Sequence, residues 1–193
     1  MKFYLNVAIA AILMTGQANA QHVNIGIKGG LNLYNINNSN GLKYDMKAGA
    51  HIGLMGHIHL NKMLAFQPEL VYSMQGAKYT TGGMDTKINL GYVNVPLLVQ
   101  YMFDNGFRLE AGPQVGYLVS ANTKRDGIKS DIKDDLNGID FALGLGVGYV
   151  HPSTGFGVDA RYNLGLNNIN DNSTVKSMNR GLQVGVFYLF NHK

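Results

Sequence analysis

Apolar and polar residues alternate along most of the chain. From Val23 to Leu33 the odd positions are apolar or glycine, whereas the even positions are polar or glycine. This period of two predicts a β-strand with one apolar and one polar face. The alternation recurs in seven further segments, near 48–60, 63–74, 87–103, 107–119, 141–149, 156–165 and 182–190. Eight such segments, each of about ten residues, are typical of a small transmembrane β-barrel.

The links between these segments alternate between short and long. Tight turns are expected at Asn61-Lys62, at Asp104-Asn105 and at residues 152–154, because these residue types favour turns. Longer polar links join the other segments, near 34–46, 75–86, 121–137 and 167–177. Outer-membrane barrels have short periplasmic turns and longer external loops. The expected fold class is all-β, an eight-stranded antiparallel up-and-down transmembrane β-barrel.

Aromatic residues on the apolar face lie toward the two ends of the segments. Near the short turns they are Phe66, Tyr101, Phe103, Phe107, Tyr149, Phe156, Tyr188 and Phe190. Toward the long links they are Tyr72, Tyr117, Phe141 and Tyr162. This distribution predicts two aromatic girdles at the membrane interfaces.

Three prolines fall inside predicted strands, at Pro68, Pro96 and Pro113. Proline has no N–H to donate to the neighbouring strand, and a closed barrel offers no free edge. We therefore expect a bulge or a local break in the sheet at each proline.

The first twenty residues have the features of an export signal. Lys2 supplies a positive charge, residues 3–14 are almost entirely apolar, and Ala18-Asn19-Ala20 fits an A-x-A cleavage site. The apolar run is too short to cross a membrane as a helix. We expect residues 1–20 to be a cleaved secretory signal peptide and residues 21–193 to form the barrel domain in the outer membrane.

Composition excludes several kinds of chemistry. The 193 residues include no cysteine, which excludes disulfides and thiolate sites. The formal net charge of +4 is small and dispersed, so a nucleic-acid partner is not expected. Alternating faces make the mean hydropathy resemble that of a soluble protein, so this average does not decide the class.

Ionisable residues lie on the polar face of the predicted strands. They are Lys28, Glu69, Arg108, Glu110, Asp159 and Arg161. An eight-stranded barrel has a lumen that side chains can fill, and buried charges are costly unless they pair. We therefore expect these residues to form a structural network that plugs the lumen. A gated or proton-conducting path through the same residues is the alternative.

The sequence offers little support for catalysis or a cofactor. His57-x-His59 could ligate a metal, but lumen histidines bonded to neighbouring side chains are the simpler interpretation. There is no G-x-S-x-G or H-E-x-x-H motif, so we expect a protein that is not an enzyme and that has no cofactor. Two alternatives stay open: an outer-membrane acyltransferase or protease with a site assembled across strands, and a soluble lipocalin-like barrel carrying a small apolar ligand.

Basic residues in the predicted outer part of the chain could meet lipopolysaccharide phosphates. They are Lys43, Lys47, Lys78, Lys87, Lys124, Arg125, Lys129, Lys133, Lys176 and Arg180. Aspartates are mixed among them, so merely solvated loops are an equal alternative. Outer-membrane lipid is the expected partner, and the sequence identifies no protein partner.

Several short motifs, in order, resemble the PorT-like family of small outer-membrane β-barrels. They are Lys28–Asn32, Gln67–Tyr72, Tyr92–Tyr101, Gly112–Tyr117 and the glycine-rich Phe141–Tyr149. The resemblance spans nearly all of the chain after residue 20. It implies an outer-membrane barrel of about eight strands, and it implies no enzymatic activity.

Overall fold

The computed structural model describes residues 23–39, 43–171 and 176–190, and these are almost entirely β-strand. The strands are β1 (Val23–Asn38), β2 (Asp45–His59), β3 (Leu64–Thr81), β4 (Met84–Met102), β5 (Phe107–Arg125), β6 (Ile128–Asp131), β7 (Ile139–Val150), β8 (Phe156–Gly165) and β9 (Ser177–Leu189). A single turn of 3-10 helix covers Lys133–Asp135. No helix in the described ranges is long and apolar enough to cross a membrane. The predicted signal peptide, residues 1–20, lies outside the described residues.

Eight of these strands form a closed antiparallel ring. Neighbours in sequence pair from β1 to β5, and the ring continues through β7, β8 and β9. β9 pairs with β1, which places Gly29 opposite Val186 and closes the barrel. β6 lies outside the ring and pairs only with the end of β5. The predicted eight-stranded up-and-down barrel is confirmed.

Side chains on each strand alternate between the exterior and the lumen. In β5, Leu109 and Val115 are exposed, whereas Arg108, Glu110 and Gln114 are buried. The exterior is thus apolar and the interior polar, which is the arrangement of a barrel surrounded by lipid. A soluble lipocalin-like carrier needs the opposite distribution, since it could not expose so large an apolar surface to water. That alternative was wrong.

Exposed aromatic rings mark both ends of the apolar exterior. Near the short turns, the Phe103 ring lies 5.0 Å from that of Tyr101 and 5.6 Å from that of Phe107. Toward the opposite end, Tyr72 and Tyr117 are also exposed. The two belts have the positions expected for interfacial girdles, so the membrane-spanning band lies between them.

Short turns join strands at the end of the barrel that carries Val23. The side-chain oxygen of Asn61 accepts hydrogen bonds from the backbone N–H groups of Met63 and Leu64, both at 2.8 Å. In the next turn, Asn105 accepts from the Phe107 N–H at 3.1 Å. Asparagine therefore stabilises both turns in the way expected for this residue type.

Two of the predicted long links are largely strand. The prediction of a long link at 75–86 was wrong, because β3 and β4 continue as paired strands to a tight turn at Gly82 and Gly83. These glycines have φ of 60° and 78°, a region that glycine adopts without steric cost. The link expected at 121–137 contains the end of β5, all of β6 and the 3-10 helix. We call residues 76–89 and 122–131 the extended wall, because they continue beyond the ends of β7 and β8.

Each proline is accommodated by a local break in strand pairing and not by a bulge. Pairing of β2 with β3 is interrupted at Pro68, that of β3 with β4 at Pro96, and that of β4 with β5 at Pro113. The register is the same on both sides of each interruption. The register shifts lie elsewhere, between Met46 and His51 and at Gly91/Tyr92. The adjoining pairs hold the register where proline lacks a donor.

Buried apolar clusters lie toward both ends of the polar lumen. Toward the long loops, the buried cluster consists of Ile36, Ala77, Leu90, Tyr92, Leu118, Ala121 and Ile169. Ile132 and Leu136, from the segment between β6 and β7, pack against it. Toward the short turns, the buried cluster consists of Met55, Val150, Phe187 and Leu189. The charged residues therefore occupy a layer between two apolar layers.

Candidate functional site in the barrel lumen

Glu69 lies at the centre of a buried network of charges. It points inward from β3 and is 3% exposed. Its carboxylate accepts hydrogen bonds from Lys28 Nζ at 3.2 Å and from Gln67 Nε2 at 2.7 Å. Lys28 also donates to Asp159 Oδ2 at 2.7 Å, so one ammonium joins two carboxylates. Alternation along β1, β3 and β8 brings these side chains to the same level of the lumen.

Arg161 crosses the lumen to reach the opposite wall. Its Nη1 and Nη2 donate to the two carboxylate oxygens of Glu69 at 2.9 and 2.8 Å. Its Nε donates to Glu110 Oε1 at 2.8 Å. β8 and β3 are four strands apart in the eight-stranded ring, so this contact bridges the full diameter. The bidentate geometry is the strongest that a guanidinium and a carboxylate can form.

Arg108 joins the network through a neutral side chain. Its Nη1 donates to Gln100 Oε1 at 3.3 Å, and Gln100 Nε2 donates to Glu110 Oε2 at 2.9 Å. The guanidinium carbon also lies 5.7 Å from the ring centroid of Phe187, within the range of a cation–π interaction. With Arg108 included, the layer contains three bases and three acids and is formally neutral.

Uncharged side chains form a second layer next to the ion pairs. His51 Nδ1 lies 2.8 Å from Asn32 Oδ1, and Asn32 Nδ2 donates to Ser73 Oγ at 3.0 Å. In the same layer, Asn163 Nδ2 donates to Gln183 Oε1 at 2.9 Å, and Gln183 Nε2 donates to Asn32 Oδ1 at 3.3 Å. These bonds satisfy polar groups that would otherwise be buried without partners.

The structure brings all six sequence-predicted lumen residues into the interior, and it adds others. Gln100, Asn32 and Asn163 were not singled out from the sequence, although their strand positions have the same inward parity. Asp140 is a further buried acid, 6% exposed, whose Oδ2 accepts a hydrogen bond from Asn179 at 3.0 Å. These additional lumen residues could have been identified from the sequence, because each occupies an inward-facing position in the alternation of its strand.

One basic residue assigned to the outside faces the interior instead. Lys47 is 7% exposed, and its Nζ donates to the backbone oxygen of Gln75 at 3.1 Å. Lys47 lies in β2, one residue beyond the predicted link 34–46 and one before the predicted strand near 48–60, which explains the error. The interpretation of Lys47 as a loop residue was wrong.

The described residues offer no evident metal centre. Across residues 23–39, 43–171 and 176–190, no three His, Asp or Glu side chains are placed to hold a metal ion. The His57 and His59 rings contact each other edge to face, with centroids 4.6 Å apart. The two histidines of the His57-x-His59 motif therefore contact each other through their rings, within strand β2.

The comparisons with known proteins agree with this architecture. Residues 17–171 match the family model described as outer membrane protein beta-barrel domain. No curated protein matches the chain in sequence.

Solved structures with the same fold include bacterial surface proteins. Neisserial surface protein A has a TM-score of 0.57 and 17% identity, covering 86% of this chain and 97% of its own. Ail, the attachment invasion locus protein of Yersinia pestis, has a TM-score of 0.55 and 16% identity, covering 86% and 98%. A second Ail structure, with the heparin analogue sucrose octasulfate, has a TM-score of 0.53 and 14% identity, covering 88% and 99%. At these identities the likeness concerns the fold. Together with the family match and the apolar exterior, it establishes that the chain belongs to the outer membrane protein beta-barrel domain family and is an eight-stranded transmembrane barrel of the outer membrane.

Proposed function

We propose that this protein is a non-enzymatic barrel with a closed lumen, which acts structurally or through its loops at the cell surface. The observation that carries the proposal is the bidentate contact between Arg161 and Glu69 across the full diameter of the barrel. An eight-stranded barrel can conduct ions only if a continuous aqueous path runs through its lumen. The contact between side chains on opposite walls interrupts such a path.

Energetics support a plug over a gated path. Moving a charged side chain out of water costs several kcal/mol, which pairing and further hydrogen bonds must offset. Glu69 has such compensation from Lys28, Arg161 and Gln67. Opening the lumen requires these contacts to separate, together with the apolar clusters at the two ends.

A catalytic role has little geometric support in this lumen. Ser73 lies opposite His51 on the adjacent strand, which is the kind of pair that a cross-strand hydrolase would use. The Ser73 side chain is fully buried, and its Oγ accepts hydrogen bonds from Asn32 and Gln75. A substrate has no route to it through the packed interior.

The loop end is the part of the molecule that we propose to meet partners. Outer-membrane lipid surrounds the barrel, and lipopolysaccharide phosphates are the proposed ligands of exposed basic side chains there. Ail has been solved with a sulfated heparin analogue, so a barrel of this fold can be crystallised with a polyanion. Within the wider family, the order of the short motifs along this chain supports membership of the PorT-like group.

Planar-bilayer recording tests the closed lumen. We expect the unmodified protein to give no stable conductance, because ion pairs and apolar clusters fill the bore. A variant with Lys28→Ser, Glu69→Ser and Arg161→Ser serves as the positive control for an opened lumen. Reproducible, ion-selective channels from the unmodified protein would overturn the proposal and support the conducting alternative.

A further inference from the structure

Four lysines form a continuous row across the extended wall. Lys78 lies directly opposite Lys87, Lys87 opposite Lys124, and Lys124 opposite Lys129. Residues paired in this way point to the same side of a sheet, with their Cβ atoms about 4.5–5.5 Å apart. The row therefore crosses four neighbouring strands, β3 to β6, and all four side chains are exposed.

The row faces outward and continues the lipid-facing surface upward. Along the outer face of β3 to β6, successive levels become more polar away from the membrane. From the membrane outward these levels are Tyr72/Val93/Tyr117, Met74/Gly91/Ser120, Gly76/Asn89/Asn122/Asp131 and the lysine row. Lys78 is twelve residues beyond Phe66 of the girdle near the short turns, which is a height of about 30 Å at ~3.3 Å per residue and a strand tilt of about 40°. The apolar band of such a barrel is about 25 Å tall, so the lysines lie just above it, at the depth of the headgroups.

Among the described residues, the lysine row has few acidic neighbours. The ion pairs of the described residues all lie in the lumen and involve none of the four lysines. Asp45 lies opposite Lys78 at one end of the row, and Asp131 lies one level below. Asp85 accepts a hydrogen bond from Thr80 at 2.6 Å. Like charges directly opposite each other destabilise a sheet, so the arrangement favours an external anion.

We propose that the lysine row binds the phosphates of glycolipids in the surrounding outer leaflet. This inference rests on the proposed function, in which exposed basic side chains meet lipopolysaccharide, and it assigns that contact to Lys78, Lys87, Lys124 and Lys129. The row points sideways, on the same face as Tyr72 and Met74. A membrane lipid beside the barrel meets that face directly, whereas a soluble polyanion arriving from above meets the loop tips first.

Native mass spectrometry of the detergent-solubilised full-length barrel tests the assignment. The row variant carries Lys→Gln at positions 78, 87, 124 and 129. The matched control carries Lys→Gln at positions 43, 62, 133 and 176, which are exposed lysines outside the row. Both variants lose four charges, and a heat-dependent shift in gel mobility checks that each is folded. The probes are bis-phosphorylated lipid A, dephosphorylated lipid A and inorganic tripolyphosphate.

We expect the unmodified protein and the control to bind phosphorylated lipid A equally and to prefer it to the dephosphorylated form. The row variant should bind at least about tenfold more weakly, because each basic residue near an anionic surface adds to the attraction. Equal weakening in both variants would contradict the assignment, since net charge alone would then explain binding. Tripolyphosphate binding as tight as that of lipid A would also overturn it, in favour of a soluble anion. Conductance reports on the lumen independently, so failure of lipid binding leaves the closed-lumen proposal separately testable.

Discussion

Glu69 illustrates how a single residue can organise the lumen. Its carboxylate accepts from Arg161, Lys28 and Gln67, three side chains that come from β8, β1 and β3. A buried carboxylate with fewer donors would be left with uncompensated charge, at a cost of several kcal/mol. Gly146 contributes by lacking a side chain, since a Cβ there would lie 2.7 Å from Glu110 Oε1. The network therefore depends on small residues as well as on charged ones.

Arg161→Ala should destabilise the barrel by about 3–5 kcal/mol, because it leaves Glu69 and Glu110 buried without their main partner. The measurement is the free energy of unfolding from urea titration of protein reconstituted in liposomes. Lys62→Ala, in an exposed turn, is the control and should change stability by less than about 0.5 kcal/mol. Similar free energies for the two variants would show that the ion pairs of Arg161 do not stabilise the fold.

Sequence parity predicted which residues enter the lumen but not which ones pair. Lys28 and Arg161 occupy inward positions that can be read from alternation. The contact of Arg161 with Glu69 depends on ring order and on the level of each residue along a tilted strand, which no local pattern contains. Gln100 was overlooked because an uncharged side chain on a polar face carries no distinctive signal by itself.

At the scale of the strand, alternation predicted the membrane-spanning segments well and their outer ends poorly. Within the membrane, one face of each strand contacts lipid and the other faces a polar lumen, so apolar and polar residues must alternate. Beyond the girdle both faces of β3 carry polar residues, such as Lys78 and Tyr79, so the pattern weakens and resembles a loop. The Gly82-Gly83 pair was the remaining hairpin signal, because paired glycines suit a two-residue turn.

Val147→Arg tests the orientation of β7. Val147 is exposed on the apolar exterior, and an arginine near the membrane midplane costs about 2–4 kcal/mol. We expect refolding equilibria in liposomes to shift by that amount. Thr81→Arg, at the exposed tip of the β3–β4 hairpin, should be nearly neutral. Equal effects would mean that Val147 does not face lipid.

At the scale of the whole molecule, the described residues form an apolar cylinder around a polar interior. Lipid surrounds the exterior, buried apolar clusters lie toward both ends of the lumen, and paired charges lie between them. The sequence predicted the charged layer, but it did not predict the outer apolar cluster. Ile169 comes from a link between strands, and it joins the cluster that contains Leu90 and Tyr92 only when that link folds over the barrel mouth.

Because the sequence contains no cysteine, a single introduced thiol can report whether the lumen is closed. Ser73→Cys is nearly isosteric and places a thiol at a fully buried position in the lumen. Ser153→Cys, in the exposed turn between β7 and β8, is the matched control. Both variants are reconstituted in liposomes and treated with a charged, water-soluble methanethiosulfonate reagent, and the rate of thiol modification is followed by mass spectrometry. The closed barrel predicts rapid modification of the control and little modification of Ser73→Cys until the protein is unfolded, whereas equally rapid modification of both thiols would contradict a closed lumen.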